Sequence, residues 1–319
     1  MTPGRSGAAF TLIMITFIGV SLFVGLTAWR GGSVQLSIFQ NVFISETVVL
    51  LPGLIIATVC GSEVGEIFRF KKIKPGTALL TIVFMLMIEP LVTAVNAFSL
   101  LFSKNAAADL ADMYLSENIS LFYVLMVIGV MGPIAEELTF RGVIYAGLRK
   151  SGRLFPAILL QAFLFGLMHL NLNQFCYSFL LGIAFGILDE VTLSLWPGII
   201  GHVMINSGSV CGAFAMEKYM PDVSDVELTK AEIISAVTVN GALALICTTI
   251  AVFVLFVIAG RETGGKFRLQ RIFKSREIRI INGNGDTQIL KRPHVITVPV
   301  LIGIAIAVTE MVLSMVLQL

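Results

Sequence analysis

The chain has 319 residues, 56% of them hydrophobic and 13% charged, with a mean hydropathy of +0.92. A soluble globular protein carries about 25% charged residues, so this composition excludes an ordinary soluble enzyme and indicates an integral membrane protein. The formal net charge of only +2 speaks against a nucleic-acid partner, and the basic residues occur in clusters that carry topology information.

A membrane span needs about 20 apolar residues. Stretches 8–29, 41–61, 77–102, 120–148, 155–170, 174–188, 195–214, 232–259 and 295–317 qualify as candidates. The run that follows Arg5 and continues to Trp29 is too long for a signal-peptide core and reads as a retained first span. Stretches 155–170 and 174–188 are short and read as a broken or re-entrant pair. The expected fold is therefore all-α and polytopic, with about 8–9 transmembrane helices. It divides into N-terminal spans (1–120), a core (121–215) and C-terminal spans (216–319) that include a basic loop, 260–294. With the N-terminus in the cytoplasm, the basic stretches 62–75, 149–153 and 260–294 all face inward, and the acidic loops 103–119 and 215–231 face outward, as the positive-inside bias requires. The basic loop serves mainly as a topology determinant. Within it, Ile278–Leu290 alternates about an Asn-Gly turn and predicts a small hairpin.

The run Met131–Gly142 places Glu136, Glu137 and Arg141 inside an apolar stretch. Ionisable groups at membrane depth are costly and are usually paired, cavity-facing and functional. Adjacent residues on a helix point about 100° apart, so the two glutamates take different roles. Glu137 and Arg141 are i,i+4 with the acid first, the favourable order for a pair that braces the helix. Glu136 is left to face a cavity. Pro133 removes one backbone hydrogen bond and predicts a kink.

Of the three histidines, His294 lies in the basic loop and reads as solvated, whereas His169 and His202 fall in two separate spans. Counting along helices puts Glu136 about 20 Å from Arg149, His169 about 24 Å from Arg153 and His202 about 18 Å from Glu190, or less if Pro197 starts the helix. The three groups can thus share one depth. Asn206 is i,i+4 from His202, and Phe165 is i,i+4 from His169, where it can pack against the ring.

This constellation allows amide hydrolysis. Glu136 can take a proton from water as a general base, and histidine and asparagine donors can stabilise a tetrahedral oxyanion. Two histidines and a glutamate can instead hold a divalent metal such as Zn²⁺, although no His-Glu-x-x-His helix occurs. An ion-coupled transporter using Glu46, Glu89, Glu310 and Asn96, also in apolar spans, is a second reading, and a non-catalytic membrane scaffold or immunity protein is a third. Cys60, Cys176, Cys211 and Cys247 form no C-x-x-C pair and read as packed thiols.

At these residues the chain resembles the CPBP family of intramembrane proteases, also called the CAAX protease and bacteriocin-processing family. The family pattern is Glu-Glu-x-x-x-Arg, then Phe-x-x-x-His, then His-x-x-x-Asn. Here it reads Glu136-Glu137-x-x-x-Arg141, Phe165-x-x-x-His169 and His202-x-x-x-Asn206, with Gly142 and the Leu195-Trp196-Pro197 lead-in also matching. The resemblance covers roughly 121–215. It implies a proteolytic core around an intramembrane cavity, with Glu136 as the water-activating base and Glu137 and Arg141 supporting it. His169, His202 and Asn206 are then oxyanion stabilisers or, with Glu136, metal ligands. It implies a peptide or membrane-anchored protein substrate: a prenylated CaaX protein, a pheromone or a bacteriocin leader.

Overall fold

The computed structural model describes residues 1–32, 36–220, 228–262, 269–274, 278–281, 287–290 and 293–317. Helix α1 spans Pro3–Trp29, opened by the Thr2 side chain and by proline in its first turn. Helix α2, Ile38–Val59, begins with a reciprocal Ser37–Gln40 capping box. The short α3 (Val64–Ile67), the span α4 (Pro75–Ser99) and the surface helix α5 (Ala106–Ser116) follow. Next come α6 (Leu121–Ser151), α7 (Leu154–Met168), α8 (Leu172–Thr192), α9 (Trp196–Tyr219) and α10 (Lys230–Glu262). The chain closes with α11 (Leu269–Phe273), strands β1 (Ile278–Ile281) and β2 (Thr287–Leu290), and α12 (Val298–Leu317).

Among the described residues eight helices are long and apolar enough to cross a membrane. The fold is an all-α, multi-pass membrane bundle. The ninth expected span is α7, whose 15 residues reach only about 22 Å, short of a hydrocarbon core of about 30 Å. The predicted hairpin is present, antiparallel, with Ile278 opposite Leu290 and Ile281 opposite Thr287. Its Asn-Gly turn lies outside the described residues, as do Lys266, Arg268, Arg276, Lys291 and Arg292 of the basic loop and Asp222, Asp225 and Glu227 of the acidic one.

Direct bonds gather the basic segments on one face of the bundle. The Met1 amine donates to Ser62 Oγ at 3.0 Å, Lys150 Nζ to Glu66 at 2.7 Å, and the Lys74 backbone N–H to Glu262 at 3.0 Å. The Lys150 hydrogen bond and charge hold the exposed Glu66 carboxyl below its ordinary range. Helix α4 packs along α10 and also meets α8 and α9, and α1 lies between α2 and α12. The main core gathers Phe10, Met85, Phe140, Tyr145, Phe165 and Phe185. Apolar side chains such as Phe23, Leu245 and Phe253 point outward, as a lipid-facing surface requires.

Helices α7 and α8 pack closely beside the site, and small residues make this possible. A Cβ on Gly182 would sit 2.8 Å from Ala162 Cα, and Gln161 Nε2 donates to the Gly182 carbonyl at 2.8 Å. Replacing Gly182 with valine is expected to destabilise the fold by about 1–3 kcal/mol, the usual cost of overpacking. Gly241, whose added Cβ would meet nothing within 4 Å, should accept alanine with little effect. Unfolding of both variants in a detergent–denaturant series reads the difference.

Candidate functional site

The site is built on an irregular stretch of α6. Leu125–Met131 and Leu138–Ile144 are wound as wide π-helical turns, separated by the regular turns of Gly132–Glu137. Pro133 has no N–H to offer the carbonyl of Gly129 four residues earlier. Ser207 Oγ on α9 donates to that carbonyl at 3.3 Å, and Asn206 Nδ2 donates to the neighbouring Ile128 carbonyl, also at 3.3 Å. The predicted effect of Pro133 is therefore expressed as a wide turn whose freed carbonyls fasten α6 to α9.

Glu137 and Arg141 form the expected pair, with Oε1 and Nη1 3.0 Å apart and both side chains 0% exposed. Glu137 Oε1 is also 3.0 Å from His202 Nδ1, a bond across two helices that helical spacing alone does not foretell. Gly198, one turn before His202 on α9, makes room for it, since a Cβ there would lie 2.6 Å from Glu137 Oε2. The Arg141 guanidinium sits 4.3 Å from the centre of the Phe165 ring and 5.0 Å from that of Phe185. A planar cation between two aromatic faces, ion-paired at one end, has one orientation, which lysine would not reproduce.

Glu136, the preceding residue, reaches the other side of the His202 ring. Its Oε2 is 3.5 Å from His202 Nε2. One imidazole is thus addressed by both glutamates, Glu137 at Nδ1 and Glu136 at Nε2. The His202 ring stacks on Phe185 at 5.0 Å, and Phe165 meets the His202 and His169 rings edge-on at 5.7 and 5.4 Å. His169 terminates α7, followed by Leu170 in the left-handed region (φ 52°) and by Asn171, whose side chain caps α8. The short α7 therefore ends inside the bundle, and that is what brings His169 to the site. Helix α9 begins at Trp196 with proline in its first turn, because Leu193 (φ 56°) ends α8. His202 is then about 9 Å along its own helix, rather than the 18 Å counted from Glu190.

The segment 68–74 is hydrogen-bonded to the α8–α9 turn. The Arg69 carbonyl accepts from the Leu195 N–H at 3.0 Å and the Lys71 carbonyl from Ser194 Oγ at 2.6 Å. Arg69 pairs with Asp189, and Arg149 Nη2 donates to both Glu190 oxygens at 3.0 Å. Tyr145 donates to Glu190 at 3.2 Å. This buried network closes the basic face of the bundle, and neither Asp189 nor Glu190 was assigned a role from sequence. Two adjacent acids at the end of an apolar span were the signal available.

The structure brings Arg141, His169 and His202 to the Phe165 ring, and Glu137 and Glu136 to the two nitrogens of His202. Asn206 lies one turn beyond His202, with one amide N–H on Ile128. Of the residues considered for a transport path, Asn96 accepts from Asn173 Nδ2 at 2.7 Å as a clamp between α4 and α8. Glu89 is exposed on α4, and Glu46 stands beside α6. His294 is exposed, as read from sequence. Among the described residues no three His, Cys, Asp or Glu side chains are gathered as a ligand set for one metal ion. His202 Nδ1 is engaged by Glu137, which leaves its Nε2, 3.5 Å from Glu136 Oε2, as the ring nitrogen open to a ligand or substrate.

The bundle and its buried Glu–His–Arg cluster define a multi-pass membrane protein with an intramembrane polar site. Residues 118–208 match a family model described as "Type II CAAX prenyl endopeptidase Rce1-like". A similar curated protein is the putative membrane peptidase YdiL of Bacillus subtilis (strain 168), 31% identical over 83 residues, which are 26% of this chain and 34% of that protein. All three motifs, Glu136-Glu137-x-x-x-Arg141, Phe165-x-x-x-His169 and His202-x-x-x-Asn206, lie within the matched segment. The chain spans about a third of the length of the relative it matches. No solved structure matches it.

Proposed function

We propose that this protein is an intramembrane endopeptidase that hydrolyses a peptide bond of a peptide or membrane-anchored protein, with its N-terminus in the cytoplasm. The observation that supports it most is the single imidazole of His202 held between Glu137 and Glu136. Glu137, fixed by Arg141, sets the ring, and Glu136 is the carboxyl of the cluster with no lysine or arginine ion pair among the described residues. In the proposed reaction a water beside Glu136 attacks the scissile carbonyl and gives its proton to the carboxylate. The oxyanion that forms accepts hydrogen bonds from His169 and Asn206, and from His202 Nε2 when that ring is doubly protonated. Glu136 then passes the proton to the departing amine, the C–N bond breaks and the carboxyl product leaves.

The route uses side chains alone. Purified protein in lipid nanodiscs should therefore cleave a quenched apolar peptide at an unchanged rate after chelator treatment. Inactivation by the chelator, with recovery on adding Zn²⁺, would replace this mechanism with a metal-dependent one. Failure to cleave any membrane-anchored or peptide substrate, with Glu136→Gln indistinguishable from the parent, would leave the scaffold reading in its place.

A further inference from the structure

Glu46 on α2 is a partly buried acid that this mechanism leaves unused. Its carboxyl meets α6 at Gly132, where an added Cβ would lie 3.2 Å from Oε1. Glycine at this position makes the notch that the carboxyl occupies. The other oxygen, Oε2, is shut off from solvent and has no hydrogen-bond partner among the described residues. Gly132 precedes Glu136 by four residues, one turn along the same face. On its other side Glu46 lines a cavity of about 280 Å³ between α2 and α6, walled by Phe39, Phe43, Leu50, Met131, Ile134 and Leu138 among others, with no lysine or arginine in the lining. Arg141 is committed to Glu137 and held between two rings.

An apolar recess with a carboxyl at its inner end and no cation of its own is complementary to a long side chain that is apolar along its stem and positive at its tip. We propose that Glu46 is a specificity-determining residue of the site, receiving a lysine or arginine side chain that flanks the scissile bond while the stem of that side chain and its apolar neighbours fill the α2–α6 cavity. The substrate class is then an apolar membrane segment carrying a basic residue beside the cut. A free C-terminal carboxylate, by contrast, finds no cation in this recess. The inference rests on the endopeptidase reading above.

The test uses full-length protein in nanodiscs and pairs of quenched apolar peptides. The members of each pair differ only in lysine against norleucine, at positions scanned on both sides of the cut. The parent protein should prefer lysine at one position by roughly tenfold or more in kcat/KM, and Glu46→Gln should bring that ratio close to one. Glu46→Lys should shift the preference to a glutamate-bearing peptide, a gain that a misfolded variant cannot produce. Gel-filtration profiles confirm that each variant is assembled. Cleavage by the parent with no lysine preference, or a preference that persists in Glu46→Gln, overturns this proposal and leaves the endopeptidase reading intact. No cleavage of any peptide by the parent overturns both.

Discussion

Glu136→Gln is expected to lower kcat by about a thousandfold, within the range attributed to general acid–base catalysis, and to change KM far less. Glutamine keeps the size of the side chain and can still face His202 Nε2, which lies 3.5 Å from the native Oε2. It cannot accept a proton from water or return one to the leaving amine. The loss should therefore appear in the chemical step, with binding and assembly preserved. The measurement is hydrolysis of a quenched peptide by protein purified to one gel-filtration peak, with parent and variant in the same lipid. Hydrolysis within a few-fold of the parent would remove Glu136 from the role of base.

Arg141→Met is expected to cost about 3–5 kcal/mol of stability. The substitution removes the guanidinium from between Phe165 and Phe185 and leaves the Glu137 carboxylate buried without its cation. A buried pair is a small net contributor compared with a well-packed apolar replacement, yet breaking it from one side is expensive. The double replacement Glu137→Leu with Arg141→Met should therefore recover much of the lost stability. It should not recover activity, because His202 Nδ1 then has no carboxylate to fix its ring. Unfolding in a detergent–denaturant series together with peptide hydrolysis separates the two effects. A single variant that loses less than about 1 kcal/mol would show that the pair does not brace the helix.

Much of this was readable from residue order. The spans follow from apolar length, and the Glu137–Arg141 pair follows from their four-residue spacing. Phe165 was placed against His169 by the same spacing. The unread parts are those that depend on how helices meet. The Glu137–His202 bond joins α6 to α9, and spacing within either helix is silent about it; Gly198, small and one turn before His202, was the local trace. The start of α9 was left open between Glu190 and Pro197, because an apolar run does not show where a left-handed residue such as Leu193 ends a helix. The Arg69, Asp189, Glu190 and Arg149 network was missed because its partners come from a loop and two spans. Glu46 was read as a member of a transport path, since the notch at Gly132 exists only when α2 lies against α6.

The wide turn at Leu125–Met131 makes the number of residues in α6 a determinant of its chemistry. Such a turn amounts to one residue more than regular winding holds. Removing any one residue from this stretch would let it rewind as regular α-helix, with every motif residue retained. All that follows would then be rotated by about 100° relative to Leu121–Val124 and to the anchor that Asn206 and Ser207 provide. Glu136 would turn away from His202. Two chains with the same motifs and an α6 differing by one residue ahead of Pro133 would share a signature and differ in which face of the helix carries it.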